Sequence, residues 1–222
     1  MPGSVPPVRD ERDGLLAFLA QQRSTLKLAA YGLTDEQARA VPTSSPLSVG
    51  GLIKHVADTE SGWIDLVLQL PAGGNDRYLE NFTMRSDETL ADVIAAYDAV
   101  AARTTEVIDS IADLGQEVPV PKGVPWYPDD IDAWSVRWVL LHLIEETARH
   151  NGHADIVREH VDGGTAFPLM AAAEGWPATP WLQPWTPTSV PTLPALTHPS
   201  PPVLSCGSAP AGAIRQDRTG GR

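Results

Sequence analysis

Apolar positions recur at helical spacing along four stretches of the chain, and no stretch shows the strict alternation of a half-buried strand. The first stretch runs roughly from Asp10 to Gly32. Leu15, Leu16, Leu19, Leu26 and Ala30 fall near one face of it, and Gly32 is a stop signal. Thr34-Asp35-Glu36-Gln37 has the form of a capping box and predicts one or two further helical turns. A second helix begins after Ser48, an N-cap residue, and ends before Pro71. Leu79 to Ser86 is irregular. Ser86 is then expected to cap a third helix, with Asp87 and Glu88 in its positive first turn. Its stripe of Leu90, Val93, Ile94, Tyr97, Val100, Thr104, Val107, Ile108 and Ile111 is the cleanest in the chain. Pro119, Pro121, Pro125 and Pro128 enforce a long loop through Gly115–Asp132. The fourth helix starts near Ser135 and stops at Gly163-Gly164.

Four long helices with short or medium connections predict an all-α protein, an up-down four-helix bundle spanning residues 8–188. The composition changes after Gly164. Ala171-Ala172-Ala173-Glu174-Gly175-Trp176 leads into Trp181-Leu182-Gln183-Pro184-Trp185, and three tryptophans are costly to leave in water. This Trp/Pro-rich strap is therefore expected to pack back on the bundle. Residues 189–222 are dominated by Pro, Ser, Thr and Gly and read as a low-complexity, disordered tail.

The chemistry lies where the apolar pattern breaks. On a wheel at ~100° per residue, Trp138, Val139, Leu143, Ile156 and Val157 of the fourth helix share one arc of about 140°. His142, Glu146, His150 and His153 fall in the same arc, while Arg158 and Asp155 lie on the far side. An ionised carboxylate buried without a partner costs several kcal/mol even after relaxation, and a bound cation removes the difficulty. Glu146 and His150, four apart, present their Cβ atoms ~6 Å from each other on one face, which suits two ligands of one ion. His55, at the flank of the second helix's apolar face beside Leu52, Thr59 and Leu66, is the candidate third. Three protein ligands with an open position characterise a catalytic zinc site. Nickel, iron or manganese fit a similar donor set.

Each residue also has a plainer explanation. A lone histidine on an apolar face is usually a hydrogen-bonded core residue, and Glu146 has Arg149 or Arg137 as a rival partner. The cluster tips the balance toward metal. His142 and His153 are candidates for orienting the ligands, alternative ligation or proton transfer. Glu60 sits in the middle of the second helix's apolar arc among Ile53, Val56, Trp63 and Val67. It reads as a proton acceptor, an orienter of a ligand histidine or, slightly ahead of both, half of a salt bridge to an arginine of a neighbouring helix. Trp63, Trp126 and Trp138 are candidates for lining a cofactor pocket, with core packing at least as good an explanation.

Charge narrows the partners. The balance of 16 basic against 28 acidic residues, a formal −12, argues against nucleic acid and anionic membrane surfaces. The single cysteine, Cys206, cannot form an internal disulfide. No signal-like apolar run and no stretch of 18 or more apolar residues occurs, so a soluble cytoplasmic protein acting on small molecules is expected. A homodimer is open, although no exposed stripe argues for one.

Leu52-Ile53-Lys54-His55-Val56-Ala57, followed by Glu60 and Trp63, and the segment Ile144 to Asp155 together resemble the DinB-like superfamily over roughly residues 10 to 188. That resemblance implies a four-helix bundle with a divalent metal held by one histidine of the second helix and two residues four apart near the last. Most members have histidine at all three places. Glu146 in the middle place is similar to the subset containing mycothiol-dependent maleylpyruvate isomerase. This implies zinc on His55, Glu146 and His150, and a thiol cofactor whose sulfur binds the metal. Where that isomerase carries a further folded domain, this chain has the strap and tail, so an S-transferase joining a low-molecular-weight thiol such as mycothiol to an electrophile is the preferred expectation. The rivals are a non-enzymatic metal-binding stress protein, a metal-dependent hydrolase and an interaction protein with a vestigial site.

Overall fold

Every long helix begins where a side chain can take one of the amides that the helix leaves unpaired. Asp10 accepts from the Asp13 amide and opens α1, Glu11–Ala29. Thr34 and Gln37 form a reciprocal capping box at the start of α2, Asp35–Arg39. Ser48 accepts from the Gly51 amide and opens α3, Val49–Val67. Ser135 accepts from the Trp138 amide and opens α5, Val136–Asp162, which ends at Gly163 in the left-handed conformation. The computed structural model describes residues 3–71, 80–124 and 127–187. Residues 189–222, expected as a tail, and Trp126 lie outside the described residues.

The third long helix, α4, is Leu90–Ser110, and Thr89 rather than Ser86 caps it. Thr89 and Asp92 satisfy two amides reciprocally, which a lone Ser86 cannot match. Asp87 and Glu88 are used elsewhere, paired with Arg85 and Lys54. Within the expected loop 115–132 lies the strand β1, Glu117–Pro119, paired antiparallel with β2, Ala133–Ser135. Three-residue strands are too short for alternation to show in the sequence.

The four long helices form the expected bundle, in which α1 packs on α5, and α3 packs on both α4 and α5. Side-chain pairs give their directions. Arg137 at the start of α5 meets Glu11 at the start of α1, and Arg158 near the end of α5 donates to the carbonyls of Ala29 and Tyr31 at the end of α1. These two helices are parallel. Lys54 meets Glu88, and Arg103 meets Asp65, so α3 and α4 also run parallel to each other. Arg12 at the start of α1 donates to the Ile108 and Ile111 carbonyls at the end of α4, which runs the opposite way. The order is thus up, down, down, up in place of the expected up-down alternation, because parallel α3 and α4 require a crossover between them. That crossover carries the short 3₁₀ turn Glu80–Phe82 back over the start of α3. Gly51 makes the close approach possible, since a Cβ there would lie 2.0 Å from the Phe82 carbonyl oxygen.

The core has two apolar clusters. One gathers Leu26, Leu52, Ile53, Val56, Tyr97 and Val157, the other Leu19, Trp63, Ile64, Ile108, Val139 and Leu143. On every long helix polar residues lie between them: Arg23, Glu60, Thr104, and Thr147 with Asn151. Glu60 is 1% exposed; Arg23 binds it through Nε and Nη2 at 3.0 and 2.6 Å, and the Thr104 hydroxyl donates to it. The salt-bridge alternative for Glu60 is the one realised.

The buried face of α5 is rotated from the expected arc by about a quarter turn on the wheel. It runs through Val136, Leu140, Leu143, Thr147, Ala154 and Arg158, with Arg158 fully buried and Trp138 and Ile156 38% and 54% exposed. Helix α5 packs between α1 and α3, and its last turns are covered from a third side. After α6, Ala166–Glu174, the strap returns so that Trp185 lies over the Arg158 guanidinium at 4.7 Å and edge-on to Tyr31. Arg158 is held below by Asp162 in a two-point contact. Trp181 departs from expectation at 80% exposed, and Leu182 is buried in its place. Among the described residues no helix is long and apolar enough to cross a membrane.

Removing one partner of a buried pair leaves the other charged and unmatched, so Arg23→Ala or Glu60→Leu should cost about 3–5 kcal/mol in urea unfolding. The double variant Arg23→Met/Glu60→Leu should recover most of that loss. Trp185→Ala should lower stability by roughly 1–3 kcal/mol, whereas Trp181→Ser should stay within about 0.5 kcal/mol of the parent.

Candidate metal centre

Polar residues at the edge of an apolar helix face can meet those of a neighbouring helix without leaving the core. Helix α5 presents Glu146 and His150 from the edge of its buried face, one turn apart, and antiparallel α3 presents His55 opposite them. The Glu146 carboxylate Oε1 lies 3.1 Å from His150 Nε2 and 3.6 Å from His55 Nε2. One ligand atom from each of the three residues lies within 4.8 Å of the others. Ligands around a tetrahedral zinc with bonds near 2.0–2.1 Å stand about 3.3 Å apart. The donor atoms therefore have the chemistry and the spacing of an ion site. Side-chain exposures of 5%, 10% and 25% for His55, His150 and Glu146 leave the carboxylate as the most accessible of the three.

Two imidazoles, His150 first and His55 second, hold the Glu146 carboxyl well below the usual carboxylate range against the opposing effect of burial. Glu146 is thus an anionic ligand at neutral pH. Neither arginine considered as its partner reaches it: Arg137 is bound to Glu11, and Arg149 is exposed. Two further contacts fix the imidazoles. Phe82, delivered by the crossover, stacks on His55 with centroids 3.7 Å apart and planes 17° apart. The other nitrogen of His150, Nδ1, faces His153 Nδ1 at 3.4 Å. Burial, with His150 and Arg149 close by, lowers the His153 pKa and favours the neutral ring. Neutral His153 can accept from His150 Nδ1–H, and with an ion in the cluster the His150 Nε2 lone pair would face that ion in place of the contact with Glu146.

The remaining candidates divide. His142 stands one turn before Glu146, stacked on Trp138 at 5.2 Å and edge-on to Trp63 at 4.7 Å. Trp63 is buried and Trp138 partly exposed, so both adjoin the centre through His142. Glu60 is committed to Arg23 and Thr104. Phe82 was invisible as a site residue in the sequence, since it sits in an irregular segment and reaches His55 only through the crossover.

The family model for mycothiol-S-transferases matches residues 14–163. Among solved structures, a conserved protein of Enterococcus faecalis is 15% identical with a TM-score of 0.51, over 71% of this chain and 100% of its own. YfiT from Bacillus subtilis, described as a probable metal-dependent hydrolase with an unusual four-helix bundle topology, is 15% identical with a TM-score of 0.47, over 78% of this chain and 95% of its own. The first of these likenesses shows a shared fold. No curated protein matches the sequence.

Elemental analysis of protein purified without an affinity tag should find about one divalent ion per chain, as three convergent ligands require. His55→Ala, Glu146→Ala and His150→Ala should each abolish that content. His153→Ala should keep the site but weaken its affinity about 10–100-fold in a chelator competition, the usual effect of removing a group that orients a ligand. Glu60→Gln should leave metal content unchanged.

Proposed function

The chain belongs to the mycothiol-S-transferase family, and from that membership together with the three-ligand cluster we propose that it joins a low-molecular-weight thiol such as mycothiol to a small electrophile at a divalent metal, zinc by preference. The observation that carries this is the donor set itself: one carboxylate and two imidazoles, with no fourth His, Cys, Asp or Glu in the cluster among the described residues. Three protein ligands leave a coordination position for a reactant. A storage or purely structural site would close it.

Charge supports a sulfur anion as that reactant. One carboxylate against a divalent ion leaves a single positive charge, which a thiolate neutralises inside a site whose ligands are 5–25% exposed. Thiolate sulfur also suits zinc better than manganese, while nickel and iron share the imidazole preference. A bound ion of this kind lowers the pKa of a thiol and so supplies nucleophilic sulfur at neutral pH. His55, Glu146 and His150 hold the ion, Phe82 restricts the His55 ring and His153 sets the His150 tautomer. The transfer forms a carbon–sulfur bond with the sulfur's electron pair. With a halide, the leaving group departs with the pair of the bond that breaks and the thiol proton goes to solvent; with an unsaturated carbonyl, the π pair moves to the α-carbon, which takes up a proton, and nothing leaves. Reduced small thiols are a feature of the cytoplasm, which is the compartment that fits this chemistry.

Metal-loaded protein given mycothiol and a set of halide and unsaturated carbonyl electrophiles should consume both reactants one for one. Glu146→Ala and His55→Ala should slow that turnover by at least about 100-fold, the scale expected when ion and bound nucleophile are both lost. Full metal occupancy with no thiol-dependent turnover of any electrophile would overturn the proposal. Metal-dependent ester or amide cleavage in the same assays would indicate that water, not thiol, takes the open position.

A further inference from the structure

An aromatic structure adjoins the metal centre and plays no part in holding the ion. Trp134, Trp138 and His142 follow one another at four-residue steps, and their rings form a ladder. The Trp134 and Trp138 centroids are 4.6 Å apart with planes 6° from parallel, and those of Trp138 and His142 are 5.2 Å apart at 11°. Trp63 of α3 closes the inner side edge-on, at 5.3 Å from Trp134 and 4.7 Å from His142. Both faces of the Trp138 ring are covered by its neighbours in the row. His142 stands at the end, and the next residue in the same four-residue row is Glu146 of the candidate metal cluster.

His142 is unusual in how it is held. Imidazoles inside proteins are generally fixed by hydrogen bonds to their ring nitrogens. Among the described residues His142 has ring contacts with Trp63 and Trp138 and no hydrogen bond to either nitrogen. Its nitrogens hold no protein hydrogen bond that a reactant would have to displace, one helical turn from the candidate ion site. Trp138, 38% exposed, carries the wall to the surface.

We propose that this wall of Trp63, Trp138 and His142 seats the second substrate, and that the substrate is an electrophile carrying a flat conjugated ring. The proposal rests on the thiol-transfer function of the same centre. The ring stacks on the face of His142 turned away from Trp138 as the fourth rung of the ladder, and a polar substituent meets the His142 nitrogens. A ring that reacts with a thiolate is electron-poor, and such rings stack best on π-rich neighbours in offset, near-parallel geometry. A cationic ring is disfavoured because the divalent ion lies beside it. For an aryl halide, the sulfur's pair forms the bond to the ring carbon, the halide leaves with the carbon–halogen pair, and the thiol proton passes to solvent.

Binding and turnover test this separately. 1,3-Dinitrobenzene has the flat electron-poor ring and no leaving group, and nitrocyclohexane has similar size without the plane. Calorimetry on the metal-loaded full chain should show saturable binding of the first and none of the second. His142→Ala should weaken binding about tenfold or more, as the loss of a stacking face implies, while His142→Phe, which keeps a flat ring, should stay within about threefold. Metal content and circular dichroism should match the parent in both variants. Equal affinity for the two probes, no saturable binding of dinitrobenzene, or His142→Ala binding as the parent does would overturn the assignment. Turnover of aliphatic electrophiles without ring binding would overturn it and leave thiol transfer standing. Ring binding without thiol turnover would do the reverse.

Discussion

A carboxylate cannot be left uncompensated inside a bundle of apolar helices, and the organisation of this protein follows from how its two inward-facing glutamates are matched. Glu60 is matched within the protein: the Arg23 guanidinium clasps both of its oxygens and the Thr104 hydroxyl adds a third contact. Glu146 is matched by two imidazoles, which together with it could hold a cation. The two residues therefore differ in what they leave open. Glu60 ties α1, α3 and α4 together and is finished. Glu146 faces a cluster that could hold an ion.

The direction of the helices makes that difference possible. Parallel α1 and α5 put the Arg158 end of one against the carbonyl end of the other, where the guanidinium takes the Ala29 and Tyr31 carbonyls. Antiparallel α3 and α5 put His55 across from His150, and Trp63 across from Trp138 and His142. The return of the chain between α3 and α4 then brings Phe82 against the one ligand that α5 does not supply. The three residues of the cluster thus come from two helices, with Phe82 of the crossover against His55, and a displacement of either helix would be felt as a change in donor spacing.

Much of this was legible in the sequence, for identifiable reasons. Helix starts at Asp10, Thr34, Ser48 and Ser135 were legible because a capping side chain acts on amides two or three residues away. Thr89 was not, because Ser86 offers the same chemistry three residues earlier and only the reciprocal contact with Asp92 decides between them. The grouping of His55, Glu146 and His150 was legible because charged and imidazole groups inside apolar arcs are few. The orientation of α5 was not, because the arc was centred on its histidines while the packing is set by α1, α3 and the strap. Arg158 shows the consequence: its burial depends on Trp185, which lies far along the chain and leaves no periodic trace in α5. Trp181 and Trp185 are alike in composition, and only the turn that buries Leu182 separates the exposed one from the packed one. The up-down-down-up order was hidden too, since the length of a connection does not tell whether it turns back or crosses.

Glutamate at position 146 sets the charge of the centre as well as its geometry. Three imidazoles would leave a divalent ion with two positive charges, a centre that binds anions strongly and gives them up slowly. One carboxylate halves that excess, so the proposed sulfur anion would bring the centre to neutrality in a half-buried setting. A neutral complex lowers the cost of excluding water around the sulfur, and desolvated sulfur is the better nucleophile. In the proposed complex it would also let an uncharged flat electrophile rest against His142. On the proposed function, Glu146 and the aromatic ladder one helical turn away are joined physically: the carboxylate would tune the nucleophile, and the rings beside it would receive what the nucleophile attacks.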